Sequence, residues 1–159
     1  MSDADRVPTD YVRAQLRGVD MLRVLDDEAL DTIAARVQVT DHEPGSLLLA
    51  EGEEAAGLFL VLRGTASVEH DGVPVAVIGP GESIGEIALL DGLPRMADVR
   101  AQDDLRTGFL TSADFLDALE SLPEVALELL IALAARFRLL EERLAEVEVE
   151  LASHAGRTG

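Results

Sequence analysis

Apolar residues recur at different periods along this chain, and each change of period marks a part of it. Over residues 16–36 they fall at Leu16, Met21, Leu22, Leu25, Leu30, Ile33 and Ala34. That spacing predicts a helix reaching about Arg36, with Asp26 or Asp27 as its cap. From Val37 the pattern breaks into short runs at 37–40, 47–50, 58–62, 66–69, 73–78, 96–101 and 105–110. Glycine-centred turns part them, among them Pro44-Gly45, Glu51-Gly52-Glu53, Arg63-Gly64, Asp71-Gly72 and Gly79-Pro80-Gly81. Turns at such short spacing predict a compact barrel or sandwich of strands, and Asp71-Gly72 is a strong hairpin signal.

From Ser112 the period is helical again. Thr111 or Ser112 caps a short helix over 113–120, and Pro123 suits the first turn of a long helix reaching about Ala152. Apolar residues at Ala126, Leu130, Leu133, Phe137, Leu140, Leu144, Val147 and Leu151 alternate steps of four and three, an unbroken heptad seam. Val125, Leu127, Leu129, Ile131 and Ala134 widen the apolar face of the first half. The expectation is that the first half packs on the barrel and the second pairs with a second helix, making a homodimer. The expected parts are a flexible N-terminus (1–15), a helix with the β-barrel and a short helix (16–122), the long dimerisation helix (123–152) and a flexible tail (153–159).

Composition narrows the function. The chain of 159 residues has no cysteine, so disulfides and thiolate metal sites are excluded. Its start, MSDADRVPTDYVRAQ, is acidic and polar, which predicts no secretory signal. It contains no apolar run of the ~18 residues a membrane-spanning helix needs, and a cytoplasmic location is expected. The net charge is −18, with all thirteen basic residues arginine. That field disfavours direct contact with nucleic acid or anionic membrane. An anionic ligand therefore needs local positive potential. His42, His70 and His154 share no metal-ligand spacing and read as surface residues. No nucleophile–base set is visible, so an enzyme is not expected.

Local positive potential is offered by GESIGEIALLDGLPRMADVRA, residues 81–101. Gly85 permits close approach of backbone to a ligand. Glu86 to Leu90 read as a short helix whose first N–H groups lack partners within it and seat an anion. Arg95, at the start of a strand-like run, presents a planar fork to two phosphate oxygens. A carboxylate only accepts hydrogen bonds, so Glu86 suits a ligand hydroxyl. The layout fits a phosphate ester of a sugar. The competing reading makes Arg95 an internal ion-pair partner of Glu86 or Asp91.

This stretch resembles the phosphate-binding cassette of cyclic-nucleotide-binding domains, as in bacterial catabolite activator proteins, kinase regulatory subunits and cyclic-nucleotide-gated channels. Gly45, the Glu51-Gly52-Glu53 turn, the LFLVLRG run and the trailing helices extend the resemblance over about residues 20–145. It implies a mainly β fold with flanking α: a jelly-roll β-barrel with an N-terminal helix and a long C-terminal one. It also implies that Glu86 takes the ribose 2′-hydroxyl and Arg95 the exocyclic phosphate oxygens, joined by N–H groups near Gly85, Ile87 and Ala88.

The sequence departs from the family at three places. Met96, followed by Ala97, stands where a hydroxyl residue is common, which disfavours cyclic GMP against cyclic AMP. Leu140 and Glu141 stand where catabolite activators contact adenine; Leu140 offers the base an apolar cap and Glu141 an acceptor. Asp98 places an acid near the phosphate unless strand alternation aims it elsewhere. The resemblance points to a stand-alone cyclic-nucleotide sensor whose ligand moves the long helix, hinged near 112–123, with no other cofactor. The alternatives are a ligand-independent dimerisation scaffold, or part of a catabolite-activator-type transcription regulator, although no recognition helix can be drawn after the long helix.

Overall fold

The computed structural model describes residues 7–156. Among the described residues, two four-stranded antiparallel sheets face each other, and five α-helices cover one outer face and continue away from it. The strands are β1 (Gln38–His42), β2 (Leu47–Leu49), β3 (Gly57–Arg63), β4 (Ala66–His70), β5 (Val73–Ile78), β6 (Ser83–Ile84), β7 (Asp98–Ala101) and β8 (Leu105–Thr111). One sheet runs β1-β8-β3-β6 and the other β2-β7-β4-β5. The fold is the expected jelly roll, but hydrogen bonding stays within each sheet and does not close a barrel.

The alternation of β3 explains the layering. Leu58 and Leu60 point to the helices and pack with Leu16, Leu30, Phe115, Val125 and Leu129. Val61 points the other way, into a second core with Ile84 and Leu105 of its own sheet and Leu49, Ala66, Val99 and Ala101 of the facing one. Each fully buried aliphatic side chain here contributes about 1.5–3 kcal/mol. The β4–β5 hairpin turns on Asp71 (φ 51°) and Gly72 (φ 76°), the paired positive φ angles of a type I′ turn.

The helices are α1 (Thr9–Leu16), α2 (Asp27–Ala34), α3 (Glu86–Asp91), α4 (Ser112–Ser121) and α5 (Pro123–Ala155). Asp26 caps α2 by accepting from Ala29 N at 2.9 Å, and Thr111 caps α4 by accepting from Asp114 N at 3.2 Å. Two expectations about the ends of the chain are corrected. Residues 9–15 are not a flexible terminus: they form α1, whose Val12 and Leu16, one turn apart, are buried in the helical core. Residues 153–155 extend α5 rather than belonging to a loose tail. The flexibility expected of 1–6 and 157–159 falls outside the described residues.

The first half of α5 also lies differently. Val125 and Leu129 are buried and Leu133 packs against them, but Leu127, Leu130 and Ile131 face outward. A single stripe, not a wide face, touches the domain. Beyond Arg136 every residue of the helix is exposed. No described helix is long and apolar enough to cross a membrane.

Candidate functional site

The site is built where β6 ends against β3. Ser83 and Ile84 pair with Leu60 and Phe59, which fixes the strand end. Gly85 then takes φ 92° and ψ 9°, a left-handed conformation that turns the chain straight into α3. Gly92 (φ 71°) ends that helix, and residues 92–97 return as an irregular segment to β7. Arg95 therefore precedes β7 rather than opening it. Its backbone is pinned by Arg95 N donating to Glu53 O and Gly52 N donating to Arg95 O, both at 2.9 Å.

From that anchor the Arg95 side chain runs inward and is 6% exposed. Nη1 donates to Gly85 O at 2.7 Å and Nη2 to Gly57 O at 2.5 Å. Among the described residues it has no ion-pair partner, so the internal pairs with Glu86 or Asp91 do not form. Burial pulls the guanidinium below the ordinary arginine range, with Glu53 and Glu86 opposing that shift. A buried cation whose direct partners are carbonyl oxygens keeps positive potential that an anion in the cavity can meet.

Glu86, the first residue of α3, is 2% exposed. Ser83 Oγ donates to its Oε2 at 3.2 Å. Its Oε1 accepts from Arg136 Nη1 of α5, and Arg136 Nη2 donates to Ser83 O at 2.9 Å. Glu82 Oε1 stands 3.8 Å from the same guanidinium. Arg136 was not singled out from the sequence. Its signal was spacing: the buried stripe Val125, Leu129, Leu133 continues with a step of three to Arg136. An arginine on the domain-facing stripe of a helix requires an acceptor beneath it.

A cavity of about 170 Å³ opens beside these groups. One water needs only ~10–15 Å³, so it has room for a small molecule. Leu49, Val68, Ile78 and Val99 give it apolar walls. Gly85, Glu86, Ile87, Ala88, Arg95, Met96 and Ala97 all line it, so seven of the nine expected residues meet there. Met96 stands at its rim, 57% exposed. Leu140 and Glu141 do not line the cavity and are exposed. They sit one turn beyond Arg136, about 6 Å along an axis that has already left the domain. Asp98 is turned away: its Oδ1 accepts from Glu51 N at 2.8 Å. His42 is half-buried rather than superficial, with Nε2 2.8 Å from Thr107 Oγ1.

The arrangement offers an apolar cleft, one buried cation with no carboxylate in ion-pair contact among the described residues and one buried carboxylate reached from outside by a single arginine. Among the described residues no cluster of His, Asp or Glu fit to hold a metal ion occurs.

Comparison with known proteins gives a consistent result. The sequence pattern of the cyclic nucleotide-binding domain matches residues 39–121, just over half of the chain. The acetyltransferase Pat of Mycolicibacterium smegmatis is 33% identical over 119 residues, which cover 72% of this chain and 35% of that protein. The chain thus spans about a third of the length of that relative. The catabolite activator protein of Thermus thermophilus superposes with a TM-score of 0.71 at 29% identity, covering 81% of this chain and 63% of that one. The regulatory domain of Toxoplasma gondii PKA, crystallised with cAMP, superposes with a TM-score of 0.61 at 26% identity, covering 74% and 45%.

Proposed function

The chain belongs to the cyclic nucleotide-binding domain family, and on that premise we propose that it is a regulatory sensor module that binds cyclic AMP in the cleft beside Arg95. The observation that carries this reading is the Arg95 guanidinium, buried at the cavity wall with two carbonyl partners and no carboxylate. A singly charged phosphodiester supplies the directly bonded anion that Arg95 lacks. The ribose 2′-hydroxyl donates to Glu86, and the base lies against the apolar walls. The cAMP-bound Toxoplasma gondii relative supports cyclic AMP as the ligand. The Met96 thioether, which donates no hydrogen bond, favours cyclic AMP over cyclic GMP.

The output is α5. Arg136 ties that helix to Glu86 and Ser83, so a ligand hydroxyl on Glu86 competes with the tie and biases the helix position. A ligand shifts such an equilibrium only by its differential affinity for the two states. The exposed seam of α5 is the surface through which the module forms a homodimer. The module carries no reaction of its own and works in the cytoplasm without touching nucleic acid or membrane.

One observation favours a second reading, a ligand-free dimerisation scaffold: both site charges already have partners, Arg95 in carbonyls and Glu86 in Arg136 and Ser83. Isothermal titration with cyclic AMP and cyclic GMP, on wild type and on Arg95→Ala, separates the two. The sensor reading requires heat with cyclic AMP that the substitution abolishes. Absence of heat with either nucleotide establishes the scaffold instead.

A further inference from the structure

Both carbonyl oxygens that hold Arg95 depend on the placing of one residue, Phe59. Gly57, whose carbonyl accepts from Nη2, stands two residues before Phe59 on β3. Gly85, whose carbonyl accepts from Nη1, directly follows Ile84, and Ile84 is the partner of Phe59 on β6. On its other side Phe59 pairs with Phe109 of β8. Where Phe59 sits in the sheet therefore decides where both acceptors lie.

Three rings stand together there. The centroids of Phe59 and Phe109 are 5.1 Å apart with an interplanar angle of 53°, and His42 meets Phe59 edge-on at 6.0 Å. Tilted and edge-on pairs are the favoured aromatic geometries. In an antiparallel pair a diagonal neighbour lies within reach of an aromatic side chain. The Phe109 ring uses that reach to lie over Gly57. A Cβ added at Gly57 would stand 2.5 Å from Phe109 Cζ and 2.7 Å from its Cε2, and would also meet Leu110 O. Gly57 is buried and is not one of the positive-φ glycines. The ring and the Leu110 carbonyl, not the backbone conformation, exclude a side chain at that position.

We propose that Phe109 is a positioning residue for the cavity: its ring, packed on Gly57 and braced by Phe59, fixes the carbonyl that aims Arg95 at a bound anion. Phe109 does not line the cavity, so it acts through Gly57 and Arg95 rather than by touching a ligand. Protein interiors are close-packed, and removing the ring leaves space into which the Gly57 peptide relaxes. Gly57 O then parts from Nη2, and the guanidinium keeps only Gly85 O. Glu86 is held by Ser83 and Arg136 instead, so recognition of a ligand hydroxyl is left as it was. The hold on Arg95 is a property of the chain alone, whereas its effect on affinity rests on the nucleotide reading above.

Two measurements on the full chain test these parts separately. Nitrogen-15 NMR without ligand reads the Arg95 guanidinium, whose signals Arg95→Lys assigns by removing them. Phe109→Leu shifts or broadens those signals, and Phe109→Met does the same. Leu119→Ala, which loosens the helical core elsewhere, leaves them in place. Arg95 signals unchanged in both Phe109 variants, or moved equally by Leu119→Ala, overturn the positioning role. Isothermal titration then reads affinity. Phe109→Leu binds cyclic AMP about 10-fold more weakly, the loss of one charged hydrogen bond. It keeps the wild-type preference for cyclic AMP over the 2′-deoxy analogue, because Glu86 is untouched. Loss of that preference marks a general loosening of the site and overturns the proposal, and an unchanged cyclic AMP affinity overturns its link to binding. No heat with cyclic AMP in the wild type overturns the nucleotide reading, and the NMR comparison still decides whether Phe109 holds Arg95 in place.

Discussion

Replacing Gly85 with alanine tests the site geometry without touching a charged group. Gly85 sits at φ 92°, and holding an L-residue in the left-handed region costs about 1–2 kcal/mol. The added Cβ stands 2.4 Å from Arg95 Nη1 and 3.2 Å from both Arg95 Cζ and Leu49 Cδ1. The guanidinium is the flexible member of that set and swings away, losing its bond to Gly85 O. A hydrogen bond involving a charged group is worth about 1.5–3 kcal/mol. The two terms together give about 2.5–5 kcal/mol, a fall in Tm of roughly 5–20 °C for a domain of this size. The second term alone acts on the ligand and weakens cyclic AMP binding about 10- to 100-fold. Gly45 is the control, because it has φ 85° and nothing within 4 Å of an added Cβ. Gly45→Ala carries the backbone cost and leaves affinity unchanged. Thermal melts and calorimetry on the two variants make the comparison. Equal cyclic AMP affinity in both refutes the claim that Arg95 must stand where it does.

Leu144→Asp places two charges at the seam of the pair, and light scattering then reports a monomer; an unchanged mass refutes the interface. Glu86→Gln keeps the shape but exchanges an ionic acceptor for a neutral one, and cyclic AMP binds about 5- to 10-fold more weakly. Its 2′-deoxy analogue, lacking the hydroxyl, binds wild type and variant alike; an equal loss for both ligands removes Glu86 from hydroxyl recognition. Burial pulls the His42 imidazole below the ordinary histidine range, against the opposing charge of Asp41. The unfolded chain therefore takes up that proton first, and stability is full above about pH 6.5 and declines as pH falls through the folded value. Denaturant unfolding at pH 7.5 and 5.5 shows a larger loss in wild type than in His42→Gln; equal losses contradict this.

Wherever local chemistry decides the structure, the sequence was informative. Asp26 and Thr111 cap helices because short acceptors satisfy free N–H groups, and Asp71-Gly72 makes its hairpin because both residues tolerate positive φ. The cassette from Gly85 to Ala97 closes on itself within a dozen residues, so the seven of them that line the cavity are legible from local sequence. Long-range partners were harder to see. Arg95 bonds Gly57, thirty-eight positions away, and Arg136 bonds Glu86, fifty away. Neither pairing is encoded in any local period. β6 has two residues between glycine turns, too few for alternation to register. In α1 only Val12 and Leu16 carry the apolar signal. The reach of Leu140 and Glu141 was misplaced because α5 parts from the domain at Arg136, a matter of tertiary packing rather than of helical spacing.

A crystal structure of the chain grown with cyclic AMP measures the central claim most directly. The account predicts the exocyclic phosphate oxygens within hydrogen-bond distance of the Arg95 guanidinium and the ribose 2′-hydroxyl on Glu86. A cleft without nucleotide, with Arg95 still confined to Gly57 and Gly85 and Glu86 still held by Arg136, contradicts it.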